Sequence, residues 1–181
     1  GEEVNSEVFD AYIEWKHSGG TREDFLKSIA QTEGIYVPSF YDVSYNEDDT
    51  VKAYVPKYDF VPQRVKKRII RDMDSVYYPD KLIVPYMDIV HDRIMLELFR
   101  GCIRGCRFCQ AGIIYRPVRE RSPERLLELA DSLLKNTGYE EISLTSLSSS
   151  DYTCIEKLTL DLLRKTKEKR VNLALPSLRI D

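Results

Sequence analysis

The chain has 181 residues, of which 43% are hydrophobic and 31% charged, as in an ordinary globular protein with a core of its own. A net charge of −3 gives no electrostatic reason to expect binding to nucleic acid or to an anionic membrane. No apolar run approaches the roughly 18 residues that a membrane-spanning helix needs, and no signal peptide is visible, so we expect a cytoplasmic protein.

The first part of the chain predicts two helices. Residues 2–17 carry apolar side chains at helical spacing, and Gly19 is a suitable residue to end that helix. Thr21 is placed to cap a second, shorter helix, which we expect to end before Gly34.

A β-hairpin is expected next, within a small α+β region. Alternating, tyrosine-rich stretches predict strands at 35–37, 40–45 and 51–55, and the polar turn between the last two is typical of a hairpin. Residues 61–73 predict a basic helix, and residues 74–81 read as a linker.

The rest of the chain predicts parallel βαβ units. Strands are expected at 94–99, 141–147 and 171–175, with helices at 122–135 and 152–168 between them. Such short connections favour an α/β fold with parallel strands, the opening part of a (β/α) barrel or of a doubly wound sheet. Active sites in both architectures form at the carboxyl ends of the strands.

Three cysteines directly follow the first of these strands. Cys102, Cys106 and Cys109 have the spacing C-x3-C-x2-C, and four cysteines in a cytosolic chain indicate metal or redox use more than disulfides. A closed zinc site or an electron-transfer iron–sulfur cluster would need a fourth ligand, for which Cys154 or His91 are the candidates. Three ligands instead leave one metal position open to chemistry.

The neighbours of these cysteines suit a bound anionic metal group. Gly101 and Gly105 are expected to let the backbone fold closely around it. Arg100, Arg104 and Arg107 would offset its charge, or bind a carboxylate with two hydrogen bonds, unless they are simply solvated.

The segment resembles the radical S-adenosylmethionine superfamily, whose signature is C-x3-C-x2-C with an aromatic residue before the last cysteine, here Phe108. The resemblance implies a [4Fe–4S] cluster held by Cys102, Cys106 and Cys109, with S-adenosylmethionine on the fourth iron. One electron from a donor such as flavodoxin or ferredoxin would cleave S-adenosylmethionine to methionine and a 5′-deoxyadenosyl radical. That radical would abstract hydrogen from a substrate that the sequence does not identify.

The resemblance also implies residues that contact S-adenosylmethionine. Phe108 and Gln110 belong to the cysteine segment, and Ser146 and Ser148 stand where many members of the superfamily have Gly-Gly-Glu, a motif from which methylthiotransferase-like branches also depart. Ser177 and Arg179 alternate with Asp181 after the third strand, so an extended segment would point them to one side. Both groups also fit ordinary roles, as a serine-rich turn in which Asp151 caps a helix and as residues of a strand end.

A narrower resemblance covers nearly the whole chain. The stretch from Arg100 to Glu124 is similar to a bacterial subgroup of the superfamily that carries an N-terminal cobalamin-binding-like domain. By that comparison residues 1–85 are a connector, including the tail of that domain, and residues 86–181 are the truncated first part of the barrel. Methyl or methylthio transfer, cobalamin in a longer parent protein and weak activity of this fragment alone are the corresponding expectations. The alternative is a non-catalytic zinc or electron-transfer module.

Overall fold

The computed structural model describes residues 1–179 and divides into two compact units, Gly1–Ile70 and a second that begins at Arg71. This division lies before the boundary predicted after residue 85. The reason is that residues 71–85 pack on the second unit: Asp74 accepts a hydrogen bond from the Ser122 N–H, and Asp80 accepts one from the Ser132 hydroxyl. Where the domains of a longer parent protein divide stays a prediction.

The first unit opens with the two helices that the sequence predicts. Helix α1 spans Glu2–Ser18 and ends at Gly19 in the left-handed conformation, at φ 70°. Helix α2 spans Arg22–Ile29, and the side chains of Thr21 and Asp24 form a reciprocal capping box at its start.

The hairpin is also present, formed by antiparallel strands β1 (Tyr41–Tyr45) and β2 (Val51–Pro56). The strand predicted at 35–37 is wrong. The Ile35 N–H donates to Thr32 in a turn, and a single 3-10 turn at Pro38–Phe40 leads directly into β1.

The basic helix predicted at 61–73 is also wrong. Val65 packs on the small core of the first unit, and the Arg68 guanidinium forms ion pairs with Glu3 and Glu7 on α1, at 2.9 and 2.6 Å. These tertiary contacts outweigh a weak local helix preference.

Between residues 71 and 179, the second unit contains five strands and three α-helices. In chain order these are β3 (Ile94–Glu97), β4 (Phe99–Arg100), α3 (Ala111–Ile114), β5 (Arg119–Glu120), α4 (Pro123–Thr137), β6 (Glu141–Thr145), α5 (Ile155–Lys167) and β7 (Asn172–Ala174). Strands β3, β6 and β7 form one parallel sheet in that order, and β4 pairs with β5 in an antiparallel stem. The α/β fold with parallel βαβ units is therefore confirmed.

Apolar side chains at sheet and helix positions build the core of this unit. On the sheet, Leu96 lies beside Leu144, and both are fully buried. Helix α4 buries Leu126, Leu129, Ala130 and Leu133, which have helical spacing. Each fully buried leucine stabilises the fold by about 1.5–3 kcal/mol relative to its exposure in the unfolded chain.

The helix ends follow their local signals at α4 but not at α5. Ser122 caps α4, Pro123 takes its first position, and Gly138 ends it in the left-handed conformation. Helix α5 begins at Ile155, later than the predicted start at 152, because the Tyr152 ring is buried parallel to the Phe99 ring, with 6.4 Å between the centroids. Across residues 1–179, no helix has the length and apolarity needed to span a membrane.

Candidate active site

A hairpin at the carboxyl edge of the parallel sheet carries the three cysteines. The Leu98 N–H donates to the Thr145 carbonyl at 2.9 Å, so the chain is still held to β6 one residue after β3 ends. Phe99 then pairs with Glu120, and Arg100 with Arg119, which closes residues 101–118 into one loop, here called the cysteine loop.

Two glycines allow the cysteine loop to fold back on its own stem. Gly101 has φ 108°, and a side chain there would place its Cβ 2.6 Å from the carbonyl oxygens of Tyr115 and Pro117. A Cβ on Gly112 would lie 2.1 Å from the Arg104 carbonyl oxygen. Nothing lies within 4 Å of a Cβ on Gly105, so Gly112 rather than Gly105 is the second glycine that the packing requires.

Hydrogen bonds fix the two ends of the loop. The Cys102 N–H donates to the Tyr115 carbonyl at 3.0 Å, next to the stem. Farther along, the Arg116 guanidinium donates to the carbonyls of Gly112 and Ile103, the latter at 3.4 Å. The backbone at Cys102 is therefore tied to the part of the loop that leads back to the stem.

The cysteines themselves are free thiols, none of them in a disulfide. Cys106 is exposed, Cys102 and Cys109 are partly buried, and the Cys109 N–H donates to the Cys106 carbonyl in a tight turn. Within residues 1–179, no three His, Cys, Asp or Glu side chains are close enough together to hold one metal ion. Three soft thiol donors on one loop fit the ligand set of an iron–sulfur cluster, but shared binding requires residues 105–109 to rearrange and bring Cys106 and Cys109 to Cys102.

A cleft at this edge, here called the larger cleft because a second one described below is smaller, has a volume of about 470 Å³. Its lining comes from the ends of β3 and β6 and from the stem of the cysteine loop: Glu97, Phe99, Arg100, Gly101, Tyr115, Thr145, Ser146 and Leu147. The Arg100 guanidinium donates two hydrogen bonds to the Glu97 carboxylate, both at 2.8 Å, so a fixed ion pair lies in the cleft wall.

A buried arginine supports that ion pair from behind. Arg121 is 1% exposed, and its guanidinium lies 5.0 Å from the centre of the Tyr78 ring and 3.7 Å from the Glu97 carboxylate. It also donates to the Met73 carbonyl. Burial lowers the pKa of Arg121, and the nearby Glu97 charge opposes that shift. The sequence gives no signal that distinguishes Arg121 from the other arginines around it.

The smaller cleft, of about 270 Å³, lies between the cysteine loop and the loop that follows β6. Its lining includes Cys102, Arg104, Ser148 and Asp151. The Arg104 Nε donates to Asp151 Oδ2 at 3.0 Å, and the guanidinium donates a second hydrogen bond to Oδ1. Hydrogen bonding from Arg104 is the main reason that the pKa of Asp151 falls to about 2, against an opposing effect of burial. The alternative interpretation had Asp151 cap the following helix, but the residue at the N-cap of α5 is Cys154.

The predicted serine positions lie at this edge of the sheet. Ser146 lines the larger cleft, where its hydroxyl shares a hydrogen bond with the Ser149 hydroxyl at 3.0 Å. Ser148 is buried beside the smaller cleft. The two serines therefore face different clefts rather than one.

The segment after β7 reaches the same loop. The Ser177 carbonyl accepts a hydrogen bond from the Ser149 N–H at 3.0 Å, and the Arg179 guanidinium lies 3.7 Å from Asp151. Ser177 has φ 58°, so the uniformly extended segment that the alternation predicted is wrong, and Asp181 lies outside the described residues.

The two remaining predicted contacts are not among the residues that line either cleft. Phe108 is 94% exposed at the tip of the cysteine loop. Gln110 is exposed and immediately precedes the short helix α3. Their predicted contacts with a cosubstrate stay a prediction.

Comparison with known proteins identifies the family of this part of the chain. The family model of the Radical SAM superfamily matches residues 96–181. An uncharacterized protein of Methanocaldococcus jannaschii is 30% identical over 179 residues, which cover 97% of this chain and 34% of that protein. The chain thus spans about a third of the length of this curated relative. No solved structure matches the chain. Residues 96–181, which carry the three cysteines and both clefts, belong to the radical S-adenosylmethionine superfamily.

Proposed function

We propose that the chain carries the S-adenosylmethionine-cleaving centre of a radical enzyme. Cys102, Cys106 and Cys109 would hold a [4Fe–4S] cluster with one open iron, and S-adenosylmethionine would bind in the larger cleft. One observation carries this proposal: three free thiols lie on a loop whose stem lines a cleft at the carboxyl edge of a parallel sheet.

The side chains of the larger cleft have chemistry suited to this cosubstrate. When bound, the cluster supplies the electron that breaks the bond between the sulfonium sulfur and C5′. Phe99, Tyr115 and Leu147 provide apolar walls that exclude water from the reacting region. Arg100 presents a guanidinium whose orientation Glu97 fixes, and it is our candidate to face the methionyl carboxylate.

Reconstitution with iron and sulfide under anaerobic conditions tests this proposal. We expect a broad absorption shoulder at about 400 nm, four irons and four sulfides per chain at about full loading, and release of methionine and 5′-deoxyadenosine after reduction. Cys106→Ala should lose the cluster and the cleavage. Cys154→Ala is the matched control and should keep both, because Cys154 packs against the core of the second unit.

Two results would favour the non-catalytic alternative. Stoichiometric zinc without iron or sulfide would indicate a closed structural site. A cluster whose EPR spectrum does not change when S-adenosylmethionine is added would indicate electron transfer instead.

The proposal also includes a class of electron donor, a cellular compartment and a class of reaction. Flavodoxin or ferredoxin is the proposed class of electron donor, and a reducing compartment such as the cytoplasm suits a cluster held by thiols. Hydrogen abstraction is the proposed reaction, with methyl or methylthio transfer as candidate outcomes. Cobalamin is proposed only for a longer parent protein of the subgroup described above.

A further inference from the structure

We propose that Arg104 and Asp151 form a latch that holds the cysteine loop against the loop following β6, which makes Asp151 a positioning residue for the cysteines. Arg104 lies between Cys102 and Cys106 in the sequence, whereas Asp151 lies beyond the end of the second parallel strand. The paired hydrogen bonds between their side chains connect these two loops.

Asp151 provides the rigid side of this latch. Its N–H donates to the Ser148 carbonyl at 2.9 Å within a 3-10 turn, and the next residue, Tyr152, is 2% exposed. The Tyr152 hydroxyl donates to the Arg121 carbonyl at 2.7 Å. The carboxylate is therefore presented by backbone that is anchored in the core on its C-terminal side.

Arg104 belongs to a part of the cysteine loop whose side chains are largely exposed. In the part of the loop from Ile103 to Cys109, the neighbouring residues Ile103 and Phe108 are largely exposed, and so is Cys106. A guanidinium that donates two hydrogen bonds to one carboxylate restricts both distance and orientation, which a single contact would not do. The latch thus adds a side-chain attachment two residues after Cys102 to a loop whose backbone is already held at Cys102 and Gly112.

Two consequences follow for the cysteines. In the protein without metal, the latch limits access to Cys102, which lines the smaller cleft and is partly buried there. In the loaded protein, and here the inference rests on the proposed function, it sets the distance between the cysteines and the Ser146 side of the larger cleft.

Alkylation of the metal-free, reduced protein by iodoacetamide tests the first consequence without any cluster. Trypsin cleaves after Arg100, Arg104 and Arg107, so Cys102, Cys106 and Cys109 fall on separate peptides that mass spectrometry can follow. In Asp151→Asn and in Arg104→Gln we expect Cys102 to react about five- to tenfold faster, because loss of a charge-assisted pair favours local opening. In Arg104→Gln, trypsin no longer cleaves between Cys102 and Cys106, so the two cysteines share one peptide. Fragmentation of that peptide in the mass spectrometer then distinguishes them.

The controls separate release of the loop from other effects. Cys106 is already exposed and should change little, and Cys154 should not change. Asp161→Asn removes a comparable carboxylate, 3.2 Å from Arg164 on α5, and should leave every rate as it was. Asp151→Glu, which keeps the charge, should restore most of the protection.

The sign of the effect distinguishes mechanical release from a change in local charge. Removing a negative charge and removing a positive charge would alter thiolate formation in opposite directions. A latch predicts faster alkylation of Cys102 in both single variants, and a double variant no faster than the faster single one. Unchanged Cys102 rates, opposite signs, or an equal rise at Cys154 would each overturn the inference.

A second measurement keeps this inference apart from the proposed function. After reconstitution, Asp151→Asn should retain its iron but show a raised KM for S-adenosylmethionine, and Asp151→Glu should recover part of the loss. If the wild-type protein cleaves no S-adenosylmethionine while the alkylation results hold, the proposed function fails and the latch stands. If the wild type cleaves it and Asp151→Asn is identical in both assays, the latch fails alone.

Discussion

The Glu97 carboxylate accepts two hydrogen bonds from the Arg100 guanidinium at 2.8 Å, at the point where β3 ends and the stem of the cysteine loop begins. The same carboxylate lies 3.7 Å from the buried guanidinium of Arg121. One acidic side chain therefore faces two cations, one in the cleft wall and one in the core.

Glu97→Gln should destabilise the fold because it leaves Arg121 buried without its nearest negative charge. We expect a loss of about 1–3 kcal/mol in the free energy of unfolding, measured by urea denaturation. Glu128→Gln removes an exposed partner of Arg125 and should change stability by less than about 0.5 kcal/mol. Equal effects of the two substitutions would contradict the role assigned to Glu97.

Gly112→Ala should disturb the cysteine loop because its new Cβ would overlap the Arg104 carbonyl oxygen. Backbone shifts of this kind cost about 1–3 kcal/mol, and we also expect less iron bound after reconstitution. Gly105→Ala is the matched control in the same loop, since nothing lies within 4 Å of its Cβ. Loss of iron in Gly105→Ala but not in Gly112→Ala would reverse this assignment.

Leu144→Ala should show how much the parallel sheet depends on its central strand. Leu144 is fully buried on β6, so the cavity should reduce the free energy of unfolding by about 2–5 kcal/mol. Leu160→Ala, at a position on α5 that is 47% exposed, should cost much less in the same denaturation experiment. A small effect at Leu144 would mean that β6 is not central to the core.

The Asp151 carboxylate should make stability depend on pH in the acid range. Its pKa is lowered to about 2 in the folded protein, from 3.8 for an ordinary aspartate, with hydrogen bonding from Arg104 as the main cause. A lowered pKa means that the stabilisation is fully present above pH 3.8 and is lost as the pH falls towards 2. The stability difference between wild type and Asp151→Asn, measured by urea unfolding at several pH values, should be constant above about pH 5 and shrink below pH 4. A difference that grows as the pH falls would have the wrong sign for this ion pair.

Local signals were sufficient for the elements of the second unit that have clear caps. Helix α4 begins at Ser122 and Pro123 as expected, because capping and backbone conformation act within a few residues. It continues two residues beyond the predicted end at 135, to Thr137, where Gly138 ends it. The carboxyl-edge location of the cysteines also followed from the order of strands and helices.

Contacts between distant residues explain what the sequence did not reveal. Arg68 is drawn to Glu3 and Glu7, which replaces the expected basic helix with an irregular segment. Arg104 and Asp151 are 47 residues apart, so no periodicity or motif connects them. Long-range pairing of this kind becomes visible only when both loops have positions in space.

The short antiparallel stem of β4 and β5 places the three cysteines beyond the segments that build most of the core. Most of the core comes from β3, β6 and the two long helices, none of which contains a cysteine of the loop, and Phe99 is the stem residue that joins it. Loss of the proposed cluster, for example on exposure to oxygen, would then be a local event in a hairpin and would leave the rest of the unit folded. A zinc finger unfolds when its metal is removed, whereas this arrangement favours repeated loading and repair of the same polypeptide.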